Sequence, residues 1–315
     1  MKSLLLTKNK TMNDILKSFG LDNYLIVGSH ALIHAFPHLE RECKDLDVIC
    51  NRVDFEKIKN CFSGYKEGAH DSLIVKYEGM PIEFLFADNL ISFQEYLKLE
   101  RNCYASKEIL FSLKKGHIHH PISFKKHIRD YVLLGESLNW KDKLSKITKI
   151  HKKETEKRLG KNKTPKLNQT LDKFFGQSEK KVPYIFVHDE VHAIMAHKDL
   201  PMFEYMRDDK EMAKCSKEKW NAFSFEEKAF TVLEEAYVIA LERKILPCFF
   251  KGMDYWDSKD AFEWALMRIC TNLTSGWFRE FATRNYFKIQ EFYNEKYVEK
   301  FFKAFDSGQI AIKYP

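Results

Sequence analysis

Four short apolar segments, all within residues 1–134, constrain the fold more than any other feature of this sequence. Each segment is rich in the branched and aromatic residues that favour β-strands, and amphipathic segments with helical spacing separate them. Glu78-Gly79, followed by Met80-Pro81, predicts a hairpin between the last two segments. The alternation predicts an α+β fold in which helices flank a small mixed β-sheet. The predicted strands are NYLIV, DLDVIC, SLIVKYE and PIEFLFA.

The strand pattern does not continue into the second half of the chain. From Pro183 onward helical periodicity dominates, as in EEKAFTVLEEAYVIALERKI and AFEWALMRICTNL. Gly160, Pro165 and Gly176 interrupt the residues in between, which carry helical pieces such as LSKITKIHKKETEKRL. We therefore predict a domain with the sheet over residues 1–138, a basic linker with helical pieces over residues 139–182, and an all-α C-terminal domain over residues 183–315.

Composition excludes several classes of protein. Apolar residues make up 44% of the chain and aromatic residues 14%, which is typical of a globular protein. The apolar run in MKSLLLTKNK ends after three leucines, and no segment approaches the roughly 20 apolar residues of a membrane helix, so we expect neither a signal peptide nor a membrane partner. The seven cysteines include no C-x-x-C motif, which indicates reduced thiols and a cytoplasmic protein.

The positive charge is concentrated in one part of the chain. The formal net charge is +7, and residues 141–181 contain 14 Lys/Arg against 5 Asp/Glu, a local charge of +9. Such a concentration suits a polyanionic partner such as RNA. A solvated linker accounts for the charge equally well.

The segment VGSHALIHAFPHLERECKDLDVI carries the clearest chemical pattern. Gly28 follows a predicted strand and permits a tight turn, and Ser29 begins a predicted helix. A helix N-terminus presents N–H groups and partial positive charge, so Gly28 and Ser29 together are suited to hold a phosphate. Asp45 and Asp47 lie two residues apart on the next predicted strand and therefore project from the same face.

Paired carboxylates on one face repel each other unless a cation joins them. Mg²⁺ (or Mn²⁺) suits such a pair, because Mg²⁺ takes oxygen ligands and binds through carboxylates and substrate phosphates. Glu83, on the returning strand of the predicted hairpin, is the candidate third acid of a two-metal site. The alternative is that the aspartates are ordinary surface carboxylates.

This ordered set resembles the nucleotidyltransferase superfamily, in its abortive-infection toxin type. The motif of that type reads approximately G-G-x-A-L, followed by R-x-[ST]-x-D-h-D. Residues 28–32 (GSHAL) match the first half, and residues 41–47 (RECKDLD) match the second half except that Cys43 replaces the hydroxyl residue. The resemblance covers residues 20–135 approximately, and residues 183–315 look like the helical domain of uncharacterised phage nucleotidyltransferase-like proteins.

The resemblance implies an activity, a set of partners and further site residues. The implied reaction is the Mg²⁺-dependent transfer of a nucleoside monophosphate from an NTP to an acceptor, with tRNA the acceptor by family analogy, in the cytoplasm (that of the host if the gene is phage-encoded). Helical segments after the sheet in such enzymes supply a phosphate-contacting lysine and close the pocket. The residues implied at nucleotide binding, besides Gly28 and Ser29, are Arg41, Lys114 or Lys115, Lys126, His127 and Asp130.

A second polar cluster lies in the segment VHDEVHAIMAH. His188 and His192 are four residues apart and would share one face of a helix, but Asp189 stands where a zincin has its general base. Glu234 and Glu235 follow on a strongly helical segment. Packing and capping within a helical bundle is one interpretation, and a metal or acceptor site is the other.

Four hypotheses about function therefore remain open. The first is nucleotidyl transfer to RNA, and the second is protein nucleotidylylation by the same Asp45, Asp47 and Glu83 site. The third is a non-catalytic nucleic-acid-binding module that uses the basic stretch. The fourth is a metal-dependent hydrolase centred on His188 and His192.

Overall fold

The computed structural model describes two compact units. The first comprises Met1–His117 with Arg129–Lys161, and the second comprises Ile118–Ile128 with Asn162–Pro315. The described residues are 11–62, 64–68, 72–120, 124–159, 221–226, 228–229, 232, 266–267, 269–271 and 276–296.

A six-stranded mixed sheet forms the centre of the first unit, which confirms the prediction of a mixed sheet flanked by helices. The strand order is β3-β4-β5-β2-β1-β6, with parallel pairing of β2 with β5 and of β1 with β6 and antiparallel pairing elsewhere. The two short edge strands, β3 and β6, are absent from the sequence prediction, because two residues carry no periodicity. The strands are β1 (Tyr24–Val27), β2 (Leu46–Cys50), β3 (Lys66–Glu67), β4 (Leu73–Tyr77), β5 (Met80–Phe86) and β6 (Cys103–Tyr104).

The predicted hairpin joins β4 to β5. Tyr77 pairs with Met80, so Glu78 and Gly79 form a two-residue turn. Both residues have positive φ, 48° and 87°. Positive φ at both central positions is the requirement of a type I′ turn, which matches the twist of the flanking strands.

Helices surround the sheet and continue after it. The first unit contains α1 (Met12–Ser18), α2 (Gly28–Ala35), α3 (Arg52–Cys61), α4 (Ile91–Leu99), α5 (Lys107–His117) and α7 (Ser145–Leu159), while α6 (Phe124–Ser137) begins in the second unit and ends in the first. In the second unit, α8 (Gly276–Arg284) is followed by α9 (Tyr286–Lys296), and the ring of Tyr286 meets that of Phe124 edge to face at 5.5 Å.

In the central strands β2 and β5, carboxylates alternate with fully buried apolar side chains. In β2, Leu46 and Val48 are fully buried on either side of the half-buried Asp47. In β5, Ile82 and Phe84 are fully buried on either side of the half-buried Glu83. Successive side chains of a strand alternate between faces, so the apolar core itself directs these two acids to the opposite face.

Helix α7 occupies part of the predicted basic linker. It packs against α4 and α5 within the first unit, so residues 145–159 are an integral part of that unit rather than a connector. Its buried face is polar, formed by Thr148, His151 and Thr155, each 5% exposed or less. The helix confirms the helical piece predicted over residues 144–159, although its most buried side chains are hydroxyl and imidazole groups rather than an apolar stripe.

The helices of the described ranges include none that combines the length and the apolar character needed to cross a bilayer.

Candidate nucleotide and metal site

Two of the three predicted acids are direct neighbours across the sheet. Asp47 of β2 pairs in register with Glu83 of β5, and these two strands are parallel. Residues in register on adjacent strands point to the same face, and the strands lie about 4.8 Å apart. Both carboxylates are half-buried. The topology therefore brings together residues that are far apart in the sequence.

Gly28 places the start of α2 against Asp47. Val27, the last residue of β1, pairs with Asp47, and Gly28 then turns the chain with a φ of 67°. A Cβ atom at Gly28 would lie 1.9 Å from Asp47 Oδ2. Glycine is thus needed here for its conformation and also for the space that the carboxylate occupies.

The first turn of α2 faces this carboxylate without a cap of its own. Val27 is the N-cap residue and supplies no side-chain hydrogen bond, and the first turn contains no acidic residue. Ser29 is 6% exposed, so the predicted phosphate-binding hydroxyl is nearly buried. The Asp47 carboxylate lies at the positive end of the helix dipole, and the two attract each other.

Asp45 lies in the loop just before the strand. β2 begins at Leu46, whereas the sequence predicted both aspartates within the strand. Asp45 is half-buried and close enough to His30 to influence its titration. Burial lowers the pKa of His30, and the Asp45 carboxylate opposes this effect. Among the described residues, His30 Nε2 is buried without a hydrogen-bond partner.

Ser72, which no sequence motif singles out, holds Glu83. The Ser72 hydroxyl donates a hydrogen bond to Glu83 Oε1, and Ser72 is 2% exposed. Ile74 pairs with Glu83, so Ser72, two residues earlier, lies diagonally across from Glu83 on the same face. A Cβ at Gly68 would lie 2.2 Å from Ser72 Oγ. Register between β4 and β5 is the signal that identifies Ser72, and it follows from the Glu78-Gly79 turn.

The acids offer hard oxygen ligands, which suit Mg²⁺ or Mn²⁺, and the Asp47 carboxylate fills the space beside Gly28. In the part of the chain that the structure describes, no group of three His, Cys, Asp or Glu side chains is gathered closely enough to hold a metal ion. Asp47 and Glu83 are neighbours, and Asp45 lies in the preceding loop.

A buried ion triad joins three of the predicted nucleotide-binding residues. Asp130 Oδ1 accepts from Arg41 Nη1 at 2.7 Å, and Asp130 Oδ2 lies 2.7 Å from Lys114 Nζ. The Asp130 side chain is only 4% exposed. Two cations share one carboxylate, so the triad carries a net charge of +1. It links the loop before β2 to α5 and α6.

The other predicted phosphate contacts lie elsewhere. Lys115 Nζ is 3.1 Å from Asp142 Oδ2, so this lysine is bound on a different side of α5 from Lys114. Lys126 is exposed and His127 is half-buried, and both belong to the part of α6 that groups with the second unit. The structure thus places Lys114, and not Lys115, with Arg41 and Asp130.

The polar cluster predicted in the segment VHDEVHAIMAH falls outside the part of the chain that the structure describes. His188, Asp189, His192, Glu234 and Glu235 all lie outside the described residues.

Comparison with known proteins identifies one family. A family model described as "Domain of unknown function (DUF7275)" matches residues 109–303, which is more than half of the chain. The chain belongs to the DUF7275 family. Neither curated proteins nor solved structures give a match. The DUF7275 match begins within α5, so it includes Lys114 and Asp130 but not Gly28, Asp47 or Glu83.

Proposed function

We propose that this protein transfers a nucleoside monophosphate from an NTP to an acceptor, most simply RNA, with Mg²⁺ or Mn²⁺ as the cofactor. The observation that carries the proposal is the contact of Gly28 with the Asp47 carboxylate, beside Glu83. A carboxylate pair next to a helix N-terminus whose N-cap residue, Val27, supplies no side-chain hydrogen bond combines a cation ligand set with an anion-binding element. An apolar core requires neither.

The three acids have distinct proposed roles. Asp47 and Glu83 would hold the divalent ion together with phosphate oxygens of the NTP, with Asp45 in the loop before β2 as the third candidate ligand, and the ion would supply neutralisation of charge at the triphosphate. Glu83 accepts the proton of the acceptor hydroxyl. A bond forms between the acceptor oxygen and the α-phosphorus, the bond from that phosphorus to the β-phosphate oxygen breaks, and pyrophosphate leaves.

The leaving group would be bound by the chain's own donors. The backbone N–H groups at Gly28 and Ser29 are suited to the β- and γ-phosphates. Arg41 and Lys114 add the net positive charge of the ion triad, with Asp130 fixing both side chains. Because Asp130 is buried between them, it acts as a positioning residue rather than as a ligand of the nucleotide.

The proposal extends to the fold and the setting. The sheet with α2 would be a nucleotidyltransferase-like domain, and residues 183–315 would form an all-α domain to which α8 and α9 contribute. The reaction would take place in the cytoplasm.

Incubation of the full chain with α-labelled NTPs, Mg²⁺ and total RNA tests the proposal. We expect the wild type to label RNA and Asp45→Ala/Asp47→Ala to lose transfer, while Asp88→Ala, at an exposed position, keeps it. Transfer that survives the double substitution would reject the assigned site.

Labelling, together with RNA-binding and metal-content measurements on the same variants, separates the other hypotheses. Label that resists RNase and is removed by protease would identify protein nucleotidylylation. RNA binding that is indifferent to Mg²⁺ and to the two aspartates, without transfer, would identify a binding module. Stoichiometric metal bound after loss of both aspartates would point to the hydrolase hypothesis at His188 and His192.

A further inference from the structure

Helix α7 has two faces of different character. Its buried face, with Thr148, His151 and Thr155, packs within the first unit. The opposite face is exposed and carries lysines at helical positions i, i+3, i+7 and i+11, which form a single stripe. With a rise of about 1.5 Å per residue, the stripe is roughly 16 Å long. The lysine stripe consists of Lys146, Lys149, Lys153 and Lys157, all exposed.

The two acids of α7 form no ion pair with the lysines of the stripe, although Glu156 borders the stripe, three residues after Lys153. Glu154 accepts hydrogen bonds from the Ile91 N–H at 2.7 Å and from Ser92 Oγ at 2.5 Å, so it caps the start of α4. Glu156 lies 3.9 Å from Lys152 Nζ. For the four lysines of the stripe, the described residues provide no carboxylate within ion-pair distance. The stripe therefore carries four positive charges that the described chain leaves uncompensated.

This pattern differs from that of an ordinary solvated helix. Solvated faces usually alternate charges, because opposite charges four residues apart stabilise a helix and like charges destabilise it. Lys149, Lys153 and Lys157 are like charges four apart. A polyanion lying along the helix would turn this repulsion into attraction, whereas a compact acidic patch would not extend over the whole stripe.

We propose that the lysine stripe of α7 is a docking surface for the phosphate backbone of an RNA strand. Evenly spaced ammonium groups contact phosphates without sequence readout, so binding would be non-specific and salt-dependent. The choice of RNA over DNA rests on the proposed function, in which the strand also carries the acceptor hydroxyl. The assignment of the stripe as a docking surface depends only on the exposure of its lysines and on the lack of ion pairs to them in the described chain.

The test compares two variants of the full chain with the same charge. Lys146→Gln/Lys149→Gln/Lys153→Gln/Lys157→Gln removes the stripe. Lys17→Gln/Lys66→Gln/Lys76→Gln/Lys98→Gln removes four other exposed lysines of the first unit. Fluorescence anisotropy measures binding of a labelled single-stranded RNA of about 20 nucleotides over about 50–200 mM salt.

We expect the stripe variant to bind RNA at least about tenfold more weakly than the wild type, with a salt slope that is smaller by about 3, since each contact with a single strand contributes about 0.7. The control variant should keep most of the affinity and slope. Equal weakening in both variants, no RNA binding by the wild type, or tighter binding of DNA of the same sequence would overturn the proposal.

Two further measurements keep the outcome interpretable. Thermal melts check that both variants fold. If the quadruple substitution unfolds α7, Lys149→Gln/Lys153→Gln should still reduce the salt slope by about half of the amount expected for the quadruple variant. Asp45→Ala/Asp47→Ala should bind RNA like the wild type. Stripe-dependent RNA binding without any transfer would therefore reject the proposed enzyme and leave the docking surface intact.

Discussion

At the scale of single residues, Gly28 is the position where conformation and chemistry coincide. Its positive φ and its contact with the Asp47 carboxylate both exclude a side chain. Gly20 also has positive φ, 72°, but nothing lies within 4 Å of the Cβ it would carry. Comparing substitutions at Gly20 and Gly28 therefore separates the free-energy cost of the backbone conformation from that of the contact with Asp47.

Gly28→Ala should destabilise the fold more than Gly20→Ala does. The conformation alone costs about 1 kcal/mol, and displacing the carboxylate should add about 1–3 kcal/mol to the loss at Gly28. Urea unfolding measures both, and the transfer assay should show loss of activity only for Gly28→Ala. Equal losses of stability would mean that the contact with Asp47 contributes nothing.

Ser72 is expected to act through Glu83. Ser72→Ala removes the hydroxyl that donates to Glu83 Oε1 and should cost about 1 kcal/mol of stability. It should also lower kcat more than it raises the KM for the NTP, because the carboxylate loses its fixed orientation, and Ser72→Thr should restore much of kcat. Ser18→Ala loses a comparable hydrogen bond, to the Ile15 carbonyl, and should leave kcat unchanged.

At the scale of elements, the Asp130 triad ties the loop before β2 to α5 and α6. Asp130→Ala leaves two cations without their shared carboxylate and should cost about 3 kcal/mol, as for other broken buried pairs. Glu95→Ala, which removes the carboxylate of the exposed pair with Lys98, should cost less, at most about 1 kcal/mol. Equal losses in the free energy of unfolding, measured with denaturant, would show that the buried triad contributes no more stability than the control ion pair.

The packing of α7 depends on a neutral histidine. His151 is fully buried, its Nδ1 lies 3.0 Å from Ser92 Oγ, and the rings of Phe93, Tyr96 and His117 surround it. Burial, with smaller contributions from His117 and Arg158, lowers the pKa of His151 well below its ordinary value. The unfolded chain then binds a proton more readily than the folded chain does.

Stability should therefore be full above the unfolded pKa, near pH 6.5, and should fall as the pH drops below it. The contribution of this residue is at most about 1.4 kcal/mol per pH unit. Urea unfolding at pH 7.5 and pH 5.0 should show a smaller difference for His151→Gln than for the wild type. An identical pH dependence in the two proteins would show that His151 is not the group responsible.

Prediction from the sequence succeeded for the elements that a local residue pattern determines. The four longer strands and the Glu78-Gly79 turn follow from local composition, and the neighbouring positions of Asp47 and Glu83 follow from those strands once β2 and β5 pair. Ser72 was within reach of the same reasoning, because the two-residue turn sets the register of β4 with β5. The Asp130 triad could not be found in this way, since its contacts depend on how α5 and α6 approach the loop before β2.

At the scale of the whole molecule, the proposed functions are distributed along the chain. The acids and the Gly28 turn precede the DUF7275 match, whereas Lys114, Asp130 and the lysine stripe lie within it. The net charge of +7 is thus arranged with uncompensated lysines on α7 and carboxylates at the sheet. Such an arrangement separates a surface that attracts a polyanion from a site that attracts a cation.

The central claim is that Asp47 and Glu83, beside the Gly28 turn, seat a divalent ion with a triphosphate. Electron paramagnetic resonance of Mn²⁺, titrated into the full chain with and without an NTP, measures this directly. We expect the wild type and the control Glu78→Gln/Asp88→Asn, at exposed positions, to bind Mn²⁺ more tightly when the NTP is present, and Asp47→Asn/Glu83→Gln to lose that binding. Unchanged Mn²⁺ binding by Asp47→Asn/Glu83→Gln would contradict the claim.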